Sequence, residues 1–544
     1  MFRHFHAYHP DVWDAQVKNG LVNEGDGIRF CQSIALKDSL KFNNLASVNS
    51  KLFNIITSEK VPFYIDRLQG GTYFEGYNYD FDLLKGYLDI IGEENFYGFQ
   101  FHEWASNYRF DLKKLENLSA DCWNEKNIID EINRKYNMPF LFLESMDACE
   151  MEYFKNPSDA FAFYKNITNL FDKRMKFSVG RLHPVDSYYL AYALEIAGGA
   201  KIISAEIGAQ TPYTRLQVCY ARAMAKAHKI KFGTYYEPWG GHPFSTCSYH
   251  KDGYNEWGLG NGTDFPFEAK GINGGSSRSL QERLYIYSYM NNADFLSEEW
   301  GLCNNFYDWE DFELSEYGKV NKSFADFRKK FFDVGEKLCP VAAVLNEKLT
   351  VLDCVDNADS FCDYELFGSE KECMKKTKDS IRSIFCNNRK MLGNERRPAL
   401  FNSDIPDAVD MLNYSKGSAL ERYKYLLDFT CSSTLSQNHS SIIPARDLQT
   451  VLRKELPCYV DGGLLWMVNE RKGGGYYLTV FNNSGVSRSV EHGETIDRNA
   501  DETVTVSIKN NITPIISYGS GKLSCNNGIL RLTVPAGKYC ILKF

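Results

Sequence analysis

The sequence predicts an α/β protein: a (β/α)8 TIM barrel over residues 1–346, a small doubly wound α/β domain over 347–455, and a C-terminal antiparallel β-sandwich over 456–544. Three patterns predict it. A beat of amphipathic helix and short apolar strand repeats across the first two thirds. The texture then turns to mixed helices and strands after Leu345. From Leu464 onward it becomes short alternating strands separated by Gly and Asn turns.

The strand-like runs of the first part lie at 61–65, 96–101, 138–143, 175–179, 200–205, 230–236, 293–297 and 341–345. Amphipathic stretches such as 159–172 and 214–228 separate them at helical spacing. The fourth run is interrupted by Lys176 and Ser178, which leaves an open doubly wound sheet as the alternative to a closed barrel. Between Trp239 and Leu280 the beat gives way to a stretch rich in Gly, Asn and Ser. Insertions this long inside a compact domain are usually functional, so it is placed on the site face. In the middle domain 349–353 reads as a strand, and 371–385 and 419–427 read as helices. The sandwich strands are expected at 464–468, 476–481, 503–508, 530–534 and 539–544, the second running into the turn Asn482-Asn483-Ser484-Gly485.

With 62 basic against 70 acidic residues and a net charge of −8, the chain offers no basic footprint for nucleic acid or anionic lipid. Apolar runs such as 340–345 fall far short of the roughly 20 residues a membrane helix needs. The first ten residues lack the features of a signal peptide, so a soluble, cytoplasmic protein is expected. The 15 cysteines are odd in number, scattered from Cys31 to Cys540 and never spaced CxxC. Neither a disulfide framework nor structural zinc is expected. No phosphate-binding glycine motif and no GxSxG occurs, so no cofactor is expected. His4-Phe5-His6 is similar to the HxH that ends the first strand of metal-dependent amidohydrolase barrels. No apolar run precedes it, and it reads as a solvated or loop-packed N-terminus.

Barrel enzymes carry their chemistry just beyond the C-terminal ends of the strands. Here those positions hold Asp66-Arg67, His102-Glu103-Trp104, Glu144, Arg181-Leu182-His183, Glu206, Glu237-Pro238-Trp239, Glu298-Glu299-Trp300 and Asn346-Glu347. Taken singly, each carboxylate has a plainer use in a salt bridge or helix cap, and each tryptophan in packing the rim. Together they suit glycosidic bond cleavage, which needs one carboxylic acid to protonate the leaving oxygen and one carboxylate to attack or to activate water. Trp104, Trp239, Trp257, Trp300 and Trp309 would supply aromatic faces for sugar rings.

The order of barrel, α/β domain and β-sandwich resembles the family 42 β-galactosidases and, more loosely, other clan A glycoside hydrolases. That resemblance implies a retaining mechanism with the nucleophilic Glu at the end of strand seven, matching Ser297-Glu298-Glu299-Trp300-Gly301. Alternation lets only one of the two glutamates face the axis. Glu299, beside Trp300, is taken as nucleophile, and Glu298 as binding substrate or bracing the loop. The clan's acid/base follows an Asn at the end of strand four. This chain has Arg181-Leu182-His183-Pro184 there, so the acid is sought in Glu206 or Glu237. Asp66, Arg67, Glu103, Trp104, Glu144, His183, Trp239, Glu298 and Trp300 are the expected substrate contacts. The resemblance also implies a homo-oligomer, a trimer, against a dimer on general grounds. Two other readings stay open: a metal-dependent barrel hydrolase or lyase using the same carboxylates for Mg²⁺ or Mn²⁺, and a non-catalytic carbohydrate-binding protein.

Overall fold

The computed structural model describes residues 2–6, 10–30, 35–36, 39–40, 51–69, 88–90, 92–102, 182–186, 189–197, 199–208, 214–237, 276–298, 305–307, 311–347, 352–353, 360–361, 364–365, 368–385, 399–415, 419–432, 434–489, 493–509 and 512–544. Among them, eight strands close into a barrel: β1 (Phe2–His6), β2 (Gly27–Phe30), β3 (Phe63–Gln69), β4 (Phe96–His102), β5 (Leu182–Asp186), β6 (Ile202–Gly208), β7 (Lys231–Glu237) and β8 (Phe295–Glu298). Each pairs in parallel with its neighbour in chain order, and β8 returns to β1 through Phe2↔Phe295 and His4↔Ser297.

The period of two along a strand divides these residues between two cores. Tyr64, Tyr97, Ile202 and Phe295 cluster inside the barrel. Ile203, Ala205, Ile207, Tyr236 and Leu296 belong to the larger core under the helices. Gly233 belongs to the inner set, because a Cβ there would meet the Phe295 ring at 2.2 Å. This parity gives a direction to every residue of β6, β7 and β8.

Several strands differ from the sequence-based expectation. β1 and β2 precede the first expected run. Phe2–His6 mixes Arg3, His4 and His6 with its two phenylalanines, and Gly27–Phe30 is only four residues long, so neither shows as an apolar run. His4 and His6 thus lie in a barrel strand and not in an N-terminal loop. The runs 138–143 and 175–179 lie outside the described residues, and the fifth barrel strand is Leu182–Asp186. The run at 341–345 is a strand but not one of the barrel. Val341–Leu345 (β9) is the centre of a separate three-stranded parallel sheet, between β10 (Val409–Asn413) and β11 (Tyr425–Phe429). All five of its residues are buried, and a strand covered on both faces has the same apolar signature in either sheet.

Helix α1 (Thr214–His228) connects β6 to β7 and is buried at every position from Thr214 to Ala225. It lies between two sheets, packing on β6 and on β10, so it has no solvent face to keep polar over that length. Helices α2 (Arg278–Met290) and α3 (Glu316–Lys330) begin at serine caps: Ser277 accepts from the Leu280 amide and Ser315 from the Gly318 amide. No described helix is long and apolar enough to cross a membrane. A further helix, α4 (Gly368–Phe385), packs on β11.

The C-terminal strands are β12 (Cys458–Asp461), β13 (Leu465–Glu470), β14 (Tyr476–Phe481), β15 (Glu502–Ile508), β16 (Ile515–Gly519), β17 (Lys522–Asn526), β18 (Ile529–Val534) and β19 (Tyr539–Lys543). They form a four-stranded antiparallel sheet, β12-β15-β18-β17, and a five-stranded one, β13-β14-β19-β16 with Glu336–Lys337 on the β13 edge. One face of the larger sheet meets the smaller through Trp466 against Tyr459, at 5.2 Å between ring centroids. The other meets the barrel helices: the Asn469 side chain donates to the Met290 carbonyl at 2.9 Å, and Tyr477 packs on Phe331. Two-sided cover explains why β13 is buried from Leu465 to Asn469 where a one-sided strand would alternate.

Where these units meet, charges are buried. Arg222 of α1 donates to Asp410 of β10, whose carboxylate also accepts from the Tyr423 hydroxyl. Arg215, two helical turns earlier on α1, lies 3.7 Å from Asp407 and donates to the Pro406 carbonyl. Lys337 donates to Asp407 at 2.5 Å, and the Tyr287 hydroxyl of α2 donates to the same oxygen at 2.7 Å. Burial alone would raise the Asp407 carboxyl, but Lys337, Arg215 and Arg222 outweigh it and hold the pKa at about 2.

Candidate active site

Glu206 is the fifth residue of β6, and Glu237 the last of β7. Glu206 shares parity with Ile202, and Glu237 with Gly233, so both point to the barrel interior. Both are buried, at 1% and 0% exposure. β6 and β7 are adjacent and in register Tyr235↔Glu206 and Glu237↔Gly208, which places Glu237 one strand across and two residues further along than Glu206. Strands about 4.8 Å apart rising about 3.3 Å per residue put the two Cα atoms about 8 Å apart. Side chains leaving the same face from that separation can bring their carboxyl groups to spacings of about 5 to 9.5 Å, the span used by glycoside-cleaving pairs.

The backbone of β6 passes unusually close to Glu237. Gly208, its lateral neighbour, has φ of +151°, and a Cβ there would stand 2.1 Å from the Glu237 carbonyl oxygen. Only glycine allows β6 to end this close to β7.

Below the pair the interior is polar, then aromatic. His183 Nε2 and Ser204 Oγ are hydrogen-bonded at 2.7 Å, Ser204 lying two residues before Glu206 on the same face. The His183 ring meets Tyr64 and Phe295 edge-on, and the Tyr64 hydroxyl is hydrogen-bonded to Ser297. His183 therefore sits inside β5, fully enclosed, and not in a loop after a strand as expected. Its bond to Ser204 ties β5 to β6 below the two glutamates.

Glu298 points the other way. It shares parity with Leu296 of the outer core, accepts from the Tyr285 hydroxyl of α2 at 2.5 Å, and accepts from the Asn321 amide of α3 at 3.1 and 3.3 Å. The carboxylate ties the end of β8 to two helices. Of the two uses expected for Glu298, these contacts are of the bracing kind.

Asp66 and Arg67 lie within β3 and not beyond its end. Glu103, Trp104, Glu144, Trp239, Glu299 and Trp300 lie outside the described residues, as do Trp257, Trp309 and most of the Gly-rich stretch that follows Trp239. Sequence reasoning passed over Tyr235, Ser204 and Gly208. Counting by twos from Glu206 and Glu237 would have found all three. Among the described residues no group of three or more His, Cys, Asp or Glu is placed to hold a metal ion.

The sequence matches no family model and no curated protein. Among solved structures the chain is similar to α-L-fucosidase isoenzyme 2 from Paenibacillus thiaminolyticus, with 9% identity, 100% of this chain and 99% of that one covered, and a TM-score of 0.45. It is similar to the catalytic module of a family 98 glycoside hydrolase from Streptococcus pneumoniae, with 8% identity, 100% and 98% covered, and a TM-score of 0.41. It is also similar to the β-galactosidase of the Antarctic haloarchaeon Halorubrum lacusprofundi, with 8% identity, 100% and 98% covered, and a TM-score of 0.43. Likenesses this remote assign no substrate and no mechanism.

Proposed function

We propose that the chain is a glycoside hydrolase whose reaction is carried by carboxyl groups in the barrel mouth, Glu206 and Glu237 among them. The observation behind this reading is the pair itself: two buried glutamates on adjacent strands, facing the same interior at the end where β/α barrels place their chemistry. One member protonates the departing oxygen. The second carboxylate, the other member or Glu299, attacks the anomeric carbon or activates water.

The test is a panel of aryl and alkyl glycosides assayed with Glu206→Gln, Glu237→Gln and Glu299→Gln, each with and without EDTA. The amide keeps the shape but can neither donate a proton as an acid nor form a glycosyl ester. The acid's variant should lose several orders of magnitude on alkyl glycosides and much less on aryl glycosides, whose phenolate departs with little protonation. The nucleophile's variant should be slow on both. Wild-type rates in both Glu206→Gln and Glu237→Gln would overturn the proposal. Loss of wild-type activity in EDTA, restored by Mg²⁺ or Mn²⁺, would replace it with the metal-dependent reading.

A further inference from the structure

On the three-stranded parallel sheet, α4 and the end of β11 bring together two cysteines separated by 58 positions. The helix is docked by Thr377, whose hydroxyl reaches the Phe429 carbonyl at 3.4 Å, and Cys373 stands one helical turn before it. On the other side, Cys431 follows β11 with φ of +56°, a conformation few residues other than glycine adopt. The turn that holds it there is hydrogen-bonded on both flanks. The Thr430 amide and hydroxyl bond to Asp428, and the Ser432 amide bonds back to Thr430. The result aims the Cys431 thiol at the helix: Sγ lies 3.8 Å from the Cys373 carbonyl oxygen, and the two thiols are close enough to couple electrostatically.

We propose that Cys373 and Cys431 are a reversible dithiol–disulfide site that closes by exchange with a small-molecule disulfide such as oxidised glutathione. Cys431 is exposed and Cys373 partly covered. Burial first, and then the neighbouring Cys431 thiol, push the Cys373 thiol up to about 12. The exposed Cys431 thiolate therefore opens the exchange, forming a mixed disulfide and releasing one glutathione thiolate. Cys373 gives up its proton and attacks the Cys431 sulfur, and the second glutathione leaves. Two protein thiols are oxidised to one disulfide while one oxidised glutathione is reduced to two thiols. The bond would fasten α4 to the end of the three-stranded sheet.

The full chain, kept folded in glutathione buffers from fully reduced to fully oxidised, is quenched with an alkylating agent and mapped by peptide mass without reduction. A Cys373–Cys431 linked peptide should accumulate with the oxidised fraction and vanish on adding dithiothreitol. In Cys431→Ser, Cys373 should stay alkylatable throughout, because its partner is gone. Stable glutathione adducts on Cys431 with Cys373 still free would overturn the proposal. So would both thiols remaining reduced in the most oxidising buffer, or Cys373 pairing with a different cysteine.

Discussion

Asp407→Asn removes one charge from a knot that holds three cations out of water. Asp407 is fully enclosed and accepts from Lys337 and Tyr287, with Arg215 3.7 Å away. Its pKa is held at about 2 against an ordinary 3.8. At about 1.36 kcal/mol per pH unit, that gap corresponds to about 2 kcal/mol of stability tied to the ionised carboxylate. The substitution should cost at least that at pH 7. It also strands Lys337 and Arg215 without their counter-charge, and breaking a buried ion pair typically costs about 3 to 5 kcal/mol. The sign with pH follows from the depression of the pKa. The contribution is complete above about pH 4, where the unfolded chain's Asp is also ionised, and is lost as pH falls toward 2. Urea unfolding followed by tryptophan fluorescence and circular dichroism, run at pH 7 and in steps from pH 4 to 2, should show Asp407→Asn with a lower midpoint at pH 7. Its dependence on pH through the acid range should be flatter than the parent's. A pH 7 stability within about 0.5 kcal/mol of the parent would refute the claim that this charge organises the junction of barrel, parallel sheet and sandwich.

Glu298→Gln should cost about 1 to 3 kcal/mol, because the amide keeps one acceptor oxygen but turns either that oxygen away from Tyr285 or an NH2 group toward the Asn321 amide nitrogen, where a carboxylate oxygen now accepts, yet leave kcat within a few-fold of the parent. Thermal melts with parallel kinetics check this, and a collapse of kcat at unchanged melting temperature would return Glu298 to substrate contact. Gly208→Ala should cost about 1 to 3 kcal/mol through its positive φ and the clash with the Glu237 carbonyl, and should lower kcat at least tenfold by displacing Glu237. Parent-like stability and kinetics would show that β6 can yield there without moving the carboxylate.

How much of this was legible beforehand depends on whether a signal is local. The strands 63–69, 96–102, 202–208 and 231–237 announce themselves because apolar residues dominate a continuous run, and Glu206 and Glu237 stand out as acids at or near the ends of such runs. The short C-terminal strands were legible for a similar reason, since a turn such as Asn482 to Gly485 and alternation along each strand are both properties of neighbours in sequence. Partner choice is not local. Val341–Leu345 carries a signature a barrel strand would carry, and only its hydrogen bonds to Val409–Asn413 and Tyr425–Phe429 place it in another sheet. Phe2–His6 does not show as an apolar run, and only its pairing with β8 and β2 places it in the barrel. Direction is tertiary as well. The sequence by itself determined that one of Glu298 and Glu299 must turn from the axis, but the parity of Phe295 and Ser297, fixed by their contacts inside the barrel, decided that Glu298 is that one. The same holds for the buried charges: Arg215, Arg222, Lys337, Asp407 and Asp410 are ordinary polar residues in the sequence, and only folding brings them into mutual contact, where each makes the burial of the others tolerable.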